Sequence, residues 1–391
     1  MKKILCLAIA LVLMMSLYAC GNSGTGTSGE TGKIVIGMSI PLTGPLAESG
    51  EQTTKAADLA IEHINAAGGI NGKEVSYIVL DDKMDPTEAA LVAQRFIEND
   101  EIIAVIGSLT SGTTLAVLPI YEEAGMPVFC PTGNNPDLSG YSNFIRIVMD
   151  ASLEAPMVAA LAVNNLGAKK VGIIYDNSDY GASMVEYSEE IVTARGAELV
   201  AAEAFSAGTD KDFSVQLAKM QQVGVDAIIL VADYNEGSLI IAQAETVGGF
   251  EDVKWVGDSY LLGNPFLERV GNSPLAKNIY MACDYNPYSD NPNHVKFVTA
   301  FSDANDGLIP SEPAGFTYDA FTIIADALNN GATKETLIST VKSMEFTNLI
   351  CSDKVTFDEN GNRVGSGNDI IIIKDGEFFA SGDQVDTTGI Y

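Results

Sequence analysis

The feature that most limits how this chain can fold is an alternation of short apolar runs with longer amphipathic segments, sustained through most of its 391 residues. Ile34–Ile40 predicts a strand, and Glu51–Ala67 a helix with Ala56, Leu59, Ala60 and Ile64 on one face. Val75–Leu80 is the next strand. Asp85-Pro86-Thr87-Glu88 then opens a helix with a capping carboxylate, a proline at the first helical position and a glutamate three residues after the cap. Strand Ile102–Ile106, helix Thr113–Ala124 and strand Pro127–Cys130 complete a first unit. A second unit repeats the pattern from helix Leu153–Leu166 and strand Lys170–Tyr175 to strand Lys254–Val256. Such alternation means parallel sheets with right-handed crossovers and helices on both faces.

Extended stretches at Phe144–Met149 and Tyr280–Pro287 look like crossings between the two units. Helices then return, with Phe297 and Phe301 in one and Tyr318–Leu328 forming another. The tail is hairpin-like, turning at Asn360-Gly361 and again at Lys374-Asp375-Gly376. The expected organisation is two α/β lobes, 34–148 plus 283–350 and 149–282 plus 351–391, crossed by the chain more than once.

The first 33 residues stand apart. Lys2 and Lys3 precede an apolar run from Ile4 to Tyr18, too short to span a bilayer comfortably, and Leu17-Tyr18-Ala19-Cys20 follows. These four residues resemble a bacterial lipobox, so 1–19 is expected to be a signal peptide and Cys20 the acylated N-terminus. Plain secretion is the alternative. Residues 20–33 contain almost nothing to bury and predict a flexible tether. Lipid-anchored, the body would face the cell exterior, or the periplasm if there is an outer membrane.

Without Lys2 and Lys3, 20 basic residues face 52 acidic ones, a net charge of −32. A surface so acidic repels nucleic acid and anionic lipid, so neither is an expected partner. Cys6 leaves with the signal peptide. Cys130, Cys283 and Cys351 are too widely spaced for a disulfide framework or a metal knuckle; free thiols or one incidental disulfide remain.

The chemistry concentrates after the strand Ile102–Ile106. Ser108, Thr110, Ser111, Thr113 and Thr114 crowd into seven positions before the next helix, and Thr132-Gly133-Asn134 follows the next strand. Ligands of an open parallel sheet sit beyond the carboxyl ends of its strands, and a helix N-terminus favours an anion. No lysine lies between Gly107 and Tyr121, which excludes a Walker-type loop, and no G-x-G-x-x-G follows the first strand. Serine hydrolysis lacks a base, because the two histidines, His63 and His294, lie elsewhere. Asp81, Asp82 and Asp85 are better explained as a strand end and a helix cap than as metal ligands. Two readings stay open: an ordinary helix N-terminus satisfied by its own hydroxyls, or a carboxylate bound and left unchanged. No metal or other cofactor is expected.

The stretch IVIGMSIPLTGPLAESGEQTTKAADLAIEHINAAGGINGKEVSYIVLDDKMDP resembles the opening of the branched-chain amino-acid-binding proteins of ABC importers. Ile106-Gly107, the hydroxyl turn, Tyr121-Glu122-Glu123-Ala124-Gly125, Asp179-Tyr180-Gly181 and Asp358-Glu359-Asn360-Gly361 continue the likeness through the whole body. The resemblance implies the type I periplasmic-binding-protein fold, two Rossmann-like three-layer α/β lobes joined by hinges. It further implies a monomer that closes over a small-molecule ligand and docks on ABC permease subunits, and no enzymatic activity. By the resemblance, the turn carrying Thr110 and Ser111 holds the ligand carboxylate, Thr132 and Asn134 hold carboxylate and ammonium, and Tyr180 closes from the second lobe.

Departures from the family pattern accompany it. The acidic residue for the ammonium falls on Ser259, with Asp258 beside it. A second-lobe tyrosine position is taken by Asp233, with Tyr234 next, and a first-lobe pocket aromatic by Ser49. The usual pair of cysteines is replaced by Met84 and Thr110. An amine anchor through Asp233 or Asp258 is expected, with solvated strand-end acids as the plain alternative. The expected function is capture of an amino acid, branched-chain, hydrophobic or related, for import. The alternatives are a sensor of the same fold and a binder of an amine-free carboxylate.

Overall fold

The computed structural model describes residues 32–364 and 367–388. The expected signal peptide, Cys20 and nearly all of the tether lie outside the described residues. Among those described, no helix is long and apolar enough to cross a membrane.

The first sheet is built from the expected runs: β1 (Ile34–Ile40), β2 (Val75–Asp81), β3 (Ile102–Gly107), β4 (Val128–Cys130) and β5 (Phe144–Arg146). They are parallel in the order β2-β1-β3-β4-β5. Helix α1 (Ala47–Ala66) covers one face, and α2 (Pro86–Ile97) and α3 (Ser111–Glu123) the other. Capping of α2 is as the sequence demands: Asp85 accepts from the backbone N–H of Thr87 and Glu88, and Ala89, Val92, Ala93 and Phe96 are buried. Asp81 accepts from the Leu42 N–H at 2.8 Å, and Asp82 from the Ser39 hydroxyl at 3.1 Å, so both acids serve the strand ends.

After a crossing near Ile147, the chain enters α4 (Ala151–Ala160), which ends in a π-helical turn over Leu161–Asn165 where a single longer helix was expected. The second sheet follows: β6 (Lys170–Asp176), β7 (Glu198–Phe205), β8 (Ala227–Val231), β9 (Lys254–Asp258) and β10 (Ile279–Cys283). Its helices are α5 (Asp179–Ala194), α6 (Ser214–Val223), α7 (Tyr234–Val247) and α8 (Asn264–Val270). Helices α9 (Pro292–Ala304), α10 (Glu312–Asn329) and α11 (Leu337–Ser343) return to the core of the first sheet, with α10 lying along α1.

A short hairpin, β11 (Thr356–Phe357) with β12 (Arg363–Val364), precedes the last hairpin, β13 (Asp369–Lys374) with β14 (Glu377–Gln384). The second sheet runs β14-β13-β10-β9-β8-β6-β7, with the final hairpin antiparallel on its edge. The expected boundary after residue 350 falls early. Ile350, Val355 and Phe357 pack into the first core, and Asn362 bridges to Arg146 of β5, so the chain crosses only after β12. The physical reason is apolar: Phe357 packs edge-on to Phe346 within the first core.

Buried charges fasten the crossings. Asp284, just after β10, accepts from the Met149 N–H at 2.9 Å and pairs with Arg363 of β12, so one carboxylate touches all three crossing segments. Arg146 reaches Asp150 at 3.3 Å, Asn362 at 3.1 Å and Ser139 at 3.0 Å. Cys130 and Cys283 are buried free thiols, and Cys351 is half-buried and free.

Candidate functional site

β3 ends at Gly107, where φ is +121° and a Cβ would lie 2.0 Å from the Ser39 carbonyl oxygen. Only glycine lets the chain leave the strand so close to β1. The hydroxyl turn follows, and its protons are mostly committed. Thr114 donates to the Thr110 carbonyl at 2.7 Å, and Thr113 to the same oxygen at 3.1 Å. The Thr110 and Thr113 hydroxyls lie 2.6 Å apart, while Thr110 caps α3. Ser108 pairs with Ser39 at 3.3 Å, and Thr132 donates to the Leu109 carbonyl at 2.7 Å. Ser111 differs. Its Oγ accepts from the Asn135 N–H at 3.2 Å, and its own proton meets no acceptor among the described residues.

These turns open onto a cavity of about 290 Å³ between the sheets. Thr110, Ser111, Thr132, Asn134 and Tyr180, five of the expected residues, line it together. Met84, Pro86, Leu109 and Val148 supply apolar surface. Asp258 and Ser259 stand behind the lining: the Tyr180 hydroxyl donates to Asp258, and the Ser259 hydroxyl donates to Glu312. Tyr180 is also packed edge-on against Tyr260, another lining residue, at 6.0 Å between ring centroids.

The other three expected residues do not line the cavity either, each for a local reason. Asp233 caps α7, accepting from the Asn235 and Glu236 N–H groups at 2.6 and 3.1 Å. Tyr234 then turns into the second-lobe core beneath Gly263. Ser49 is buried in the first turns of α1, where its carbonyl takes the Thr53 hydroxyl at 2.8 Å. His63 binds the Tyr318 hydroxyl at 2.7 Å, and His294 is buried against the Ile350 carbonyl.

Sequence reasoning missed four carboxylates that line the cavity: Asp176 and Asp179, at the end of β6 and the start of α5, and two from further off. Glu154 projects from α4 into the cavity and accepts from the Asn134 side-chain amide; Glu312, first residue of α10, lines it from the other lobe. Both are buried, and among the described residues no lysine, arginine or histidine lines the cavity. A signal for Glu154 was present. ASLEAPMVAA is otherwise uncharged and apolar, and a helix apolar all round is buried, so its one acid must be buried too. Glu312 had no such signal, since Ser311-Glu312-Pro313 reads as an ordinary helix start.

Burial sets the electrostatics of this wall. Desolvation, with Asp258 close by, pushes the Glu154 carboxyl up to about 8. Desolvation raises Asp258 to about 6 against the hydrogen bond from Tyr180. Glu312 lies well above the usual carboxylate range, from burial and then from Glu154 and Asp258. The guanidinium of Arg363 favours the charged form of Glu154, but its partner is Asp284. Across the cleft, the Asn135 amide donates to the Asp179 carbonyl at 3.3 Å, and Ser259 to Glu312.

Known proteins share this architecture. The sequence profile of the periplasmic binding proteins matches residues 33–373. The leucine-, isoleucine-, valine-, threonine- and alanine-binding protein of Pseudomonas aeruginosa is 26% identical over 364 residues, covering 90% of this chain and 92% of that protein. The crystal structure of LivJ from Streptococcus pneumoniae, a branched-chain amino acid transporter substrate-binding protein in complex with isoleucine, superposes with a TM-score of 0.80. It is 28% identical, over 89% of this chain and 98% of that one. A solute-binding protein of an ABC transporter from Rhodopseudomonas palustris, in complex with 3,4-dihydroxybenzoic acid, has the same fold at 23% identity and a TM-score of 0.80, over 92% and 99% of the two chains. With a profile that spans most of its length and two α/β lobes around a cavity, the chain belongs to the periplasmic binding protein family.

Proposed function

We propose that the protein captures an amino acid between its lobes and delivers it to the permease of an ABC importer, held at the outer face of the membrane by lipid on Cys20. The observation that carries this reading is the polarity of the cavity: uncharged donors on one wall and buried carboxylates on the other. A zwitterion satisfies both. Its carboxylate lies against the free Ser111 proton and the N-terminus of α3, and its ammonium faces the acids. Asp258 acts through Tyr180, and Thr132 and Asn134 flank the ligand head. The apolar lining suits an aliphatic part, in keeping with the ligands named for the Pseudomonas and Streptococcus proteins. Closure about the three crossings would bury the ligand and present one closed shape, as a single chain, to the permease.

The Rhodopseudomonas structure shows that this fold also accommodates an amine-free acid, and acids that retain their protons would tolerate one. Thermal unfolding of the protein, refolded to strip carried ligand, distinguishes the two. A ligand at a hundred times its dissociation constant adds about 2.7 kcal/mol. The expected outcome is that leucine or isoleucine raises the melting temperature and the deaminated analogue does not. A shift from amine-free acids alone would remove the amino-acid assignment, and no shift from either class would remove the solute-binding one.

A further inference from the structure

Resting on the amino-acid reading, we infer that the cleft is built for a ligand with a second positive group, a diamino acid of the lysine or ornithine class, held by Glu154 and Asn134 together with Glu312. Glu154 comes from α4 of the second lobe and Glu312 from α10, which packs on the first. The two carboxylates therefore face the cavity from different lobes, and each is hydrogen-bonded across the cleft. Each has only neutral hydrogen-bond partners, Asn134 for Glu154 and Ser259 for Glu312. A third carboxylate, Asp258, stands behind Tyr180. One α-ammonium can compensate one of these charges, and the rest stay uncompensated or protonated.

A second, independent observation points the same way. Asn134 is 2% exposed and lines the cavity, and its Oδ1 has no hydrogen-bond donor. The amide nitrogen is spent on Glu154, so the orphaned oxygen lies beside a carboxylate for which that one amide is the side-chain donor. An ammonium group has three donors and no acceptor, which is what such a corner lacks. Without ligand, the raised proton affinities of Glu154 and Glu312 reduce the negative charge of this wall. A dicationic side replaces those protons with fixed positive charge. Met84, Pro86 and Leu109 supply apolar surface for the methylene chain between the two amines.

Isothermal titration of the stripped protein with lysine, ornithine, leucine and 6-aminohexanoate near neutral pH tests this. Lysine or ornithine should bind at least about tenfold more tightly than leucine, the size expected for one added buried ion pair. In Glu154→Gln and in Asn134→Leu the preference should collapse toward unity, with lysine and ornithine losing at least about tenfold more affinity than leucine, whose α-ammonium meets the same wall. A melt of each variant without ligand shows that it is folded. Leucine binding as tightly as lysine, or a lysine preference that survives both variants, overturns the inference and leaves the amino-acid reading standing. If no amino acid binds, the reading beneath it fails instead.

Discussion

The two walls of the cleft are made in opposite ways. The hydroxyl wall is local: Ser108 through Thr114 and Thr132 through Asn135 are turns directly after β3 and β4, and their donors are positioned by the strands they follow. The acidic wall is assembled from afar, with Glu154 inside a helix, Asp258 at a strand end and Glu312 at the start of a helix of the other lobe. The first wall carries no formal charge and needs no partner to be stable. The second holds carboxylates away from water, which is costly unless protons or a ligand cation compensate them. A binding protein divided this way is pre-formed on one side and ligand-dependent on the other.

The largest effect should come from the charge network behind the acidic wall. Arg363 pairs with Asp284, both buried, and its charge also reaches Glu154. Arg363→Met strands Asp284 and removes the cation that joins the third crossing to the other two. A loss of about 3–5 kcal/mol is expected, read as a lower guanidinium midpoint. A loss below about 1 kcal/mol would mean that the Met149 N–H alone holds Asp284 and that the crossings are not fastened by this pair.

On the hydroxyl wall the effect should fall on binding instead. Ser111 is the turn hydroxyl with an unspent proton, so Ser111→Ala removes a donor to the ligand carboxylate. Affinity should weaken by about 10- to 100-fold, corresponding to roughly 1.5–3 kcal/mol for a hydrogen bond to a charged group. The ligand-free protein should lose only about 1 kcal/mol, because the Asn135 N–H loses its acceptor. If stability falls and affinity holds, the serine only serves the Asn135 turn and the carboxylate lies elsewhere.

The acidic wall also responds to pH, whereas the hydroxyl turns carry no titratable side chain. Glu154 has its folded pKa raised from the ordinary 4.5 to about 8. The stability this contributes is present in full below the ordinary value and is lost as pH rises through the folded one. Ligand-free protein should therefore lose stability between those limits, by at least about 1 kcal/mol. Glu154→Gln should show a flatter slope, and saturating amino acid should restore part of the loss. A slope identical in the variant would assign it to other buried acids, such as Asp258 or Asp319, each raised to about 6.

The same division explains what was legible in the sequence. Strands, helix caps and the hydroxyl turn follow from residues close in the chain, so Asp85, Gly107, Ser111 and the Asn360-Gly361 turn could be placed from local chemistry. Position after a strand end was a poorer guide in the second lobe. Asp233 and Asp258 occupy equivalent places after β8 and at the end of β9, yet one is consumed by capping a helix and the other by Tyr180. Which acid reaches the cavity depends on lobe packing, and that has no local signature. Glu154 was the exception, marked by its apolar helix.

The smallest expected effect tests whether hydroxyls on one wall are interchangeable. Thr132 was grouped with Ser111 as a carboxylate donor, but its single proton goes to the Leu109 carbonyl at 2.7 Å. Toward the cavity it can offer only lone pairs, which repel a carboxylate and accept from an ammonium. Thr132→Val keeps the shape and removes that bond, so stability should fall by about 1 kcal/mol. Affinity for a deaminated acid, if one binds, should stay level, while affinity for the amino acid should drop by no more than about threefold. A tenfold loss for both would show that Thr132 turns its proton to the ligand on binding, and the hydroxyl wall would then be less pre-formed than its hydrogen bonds imply.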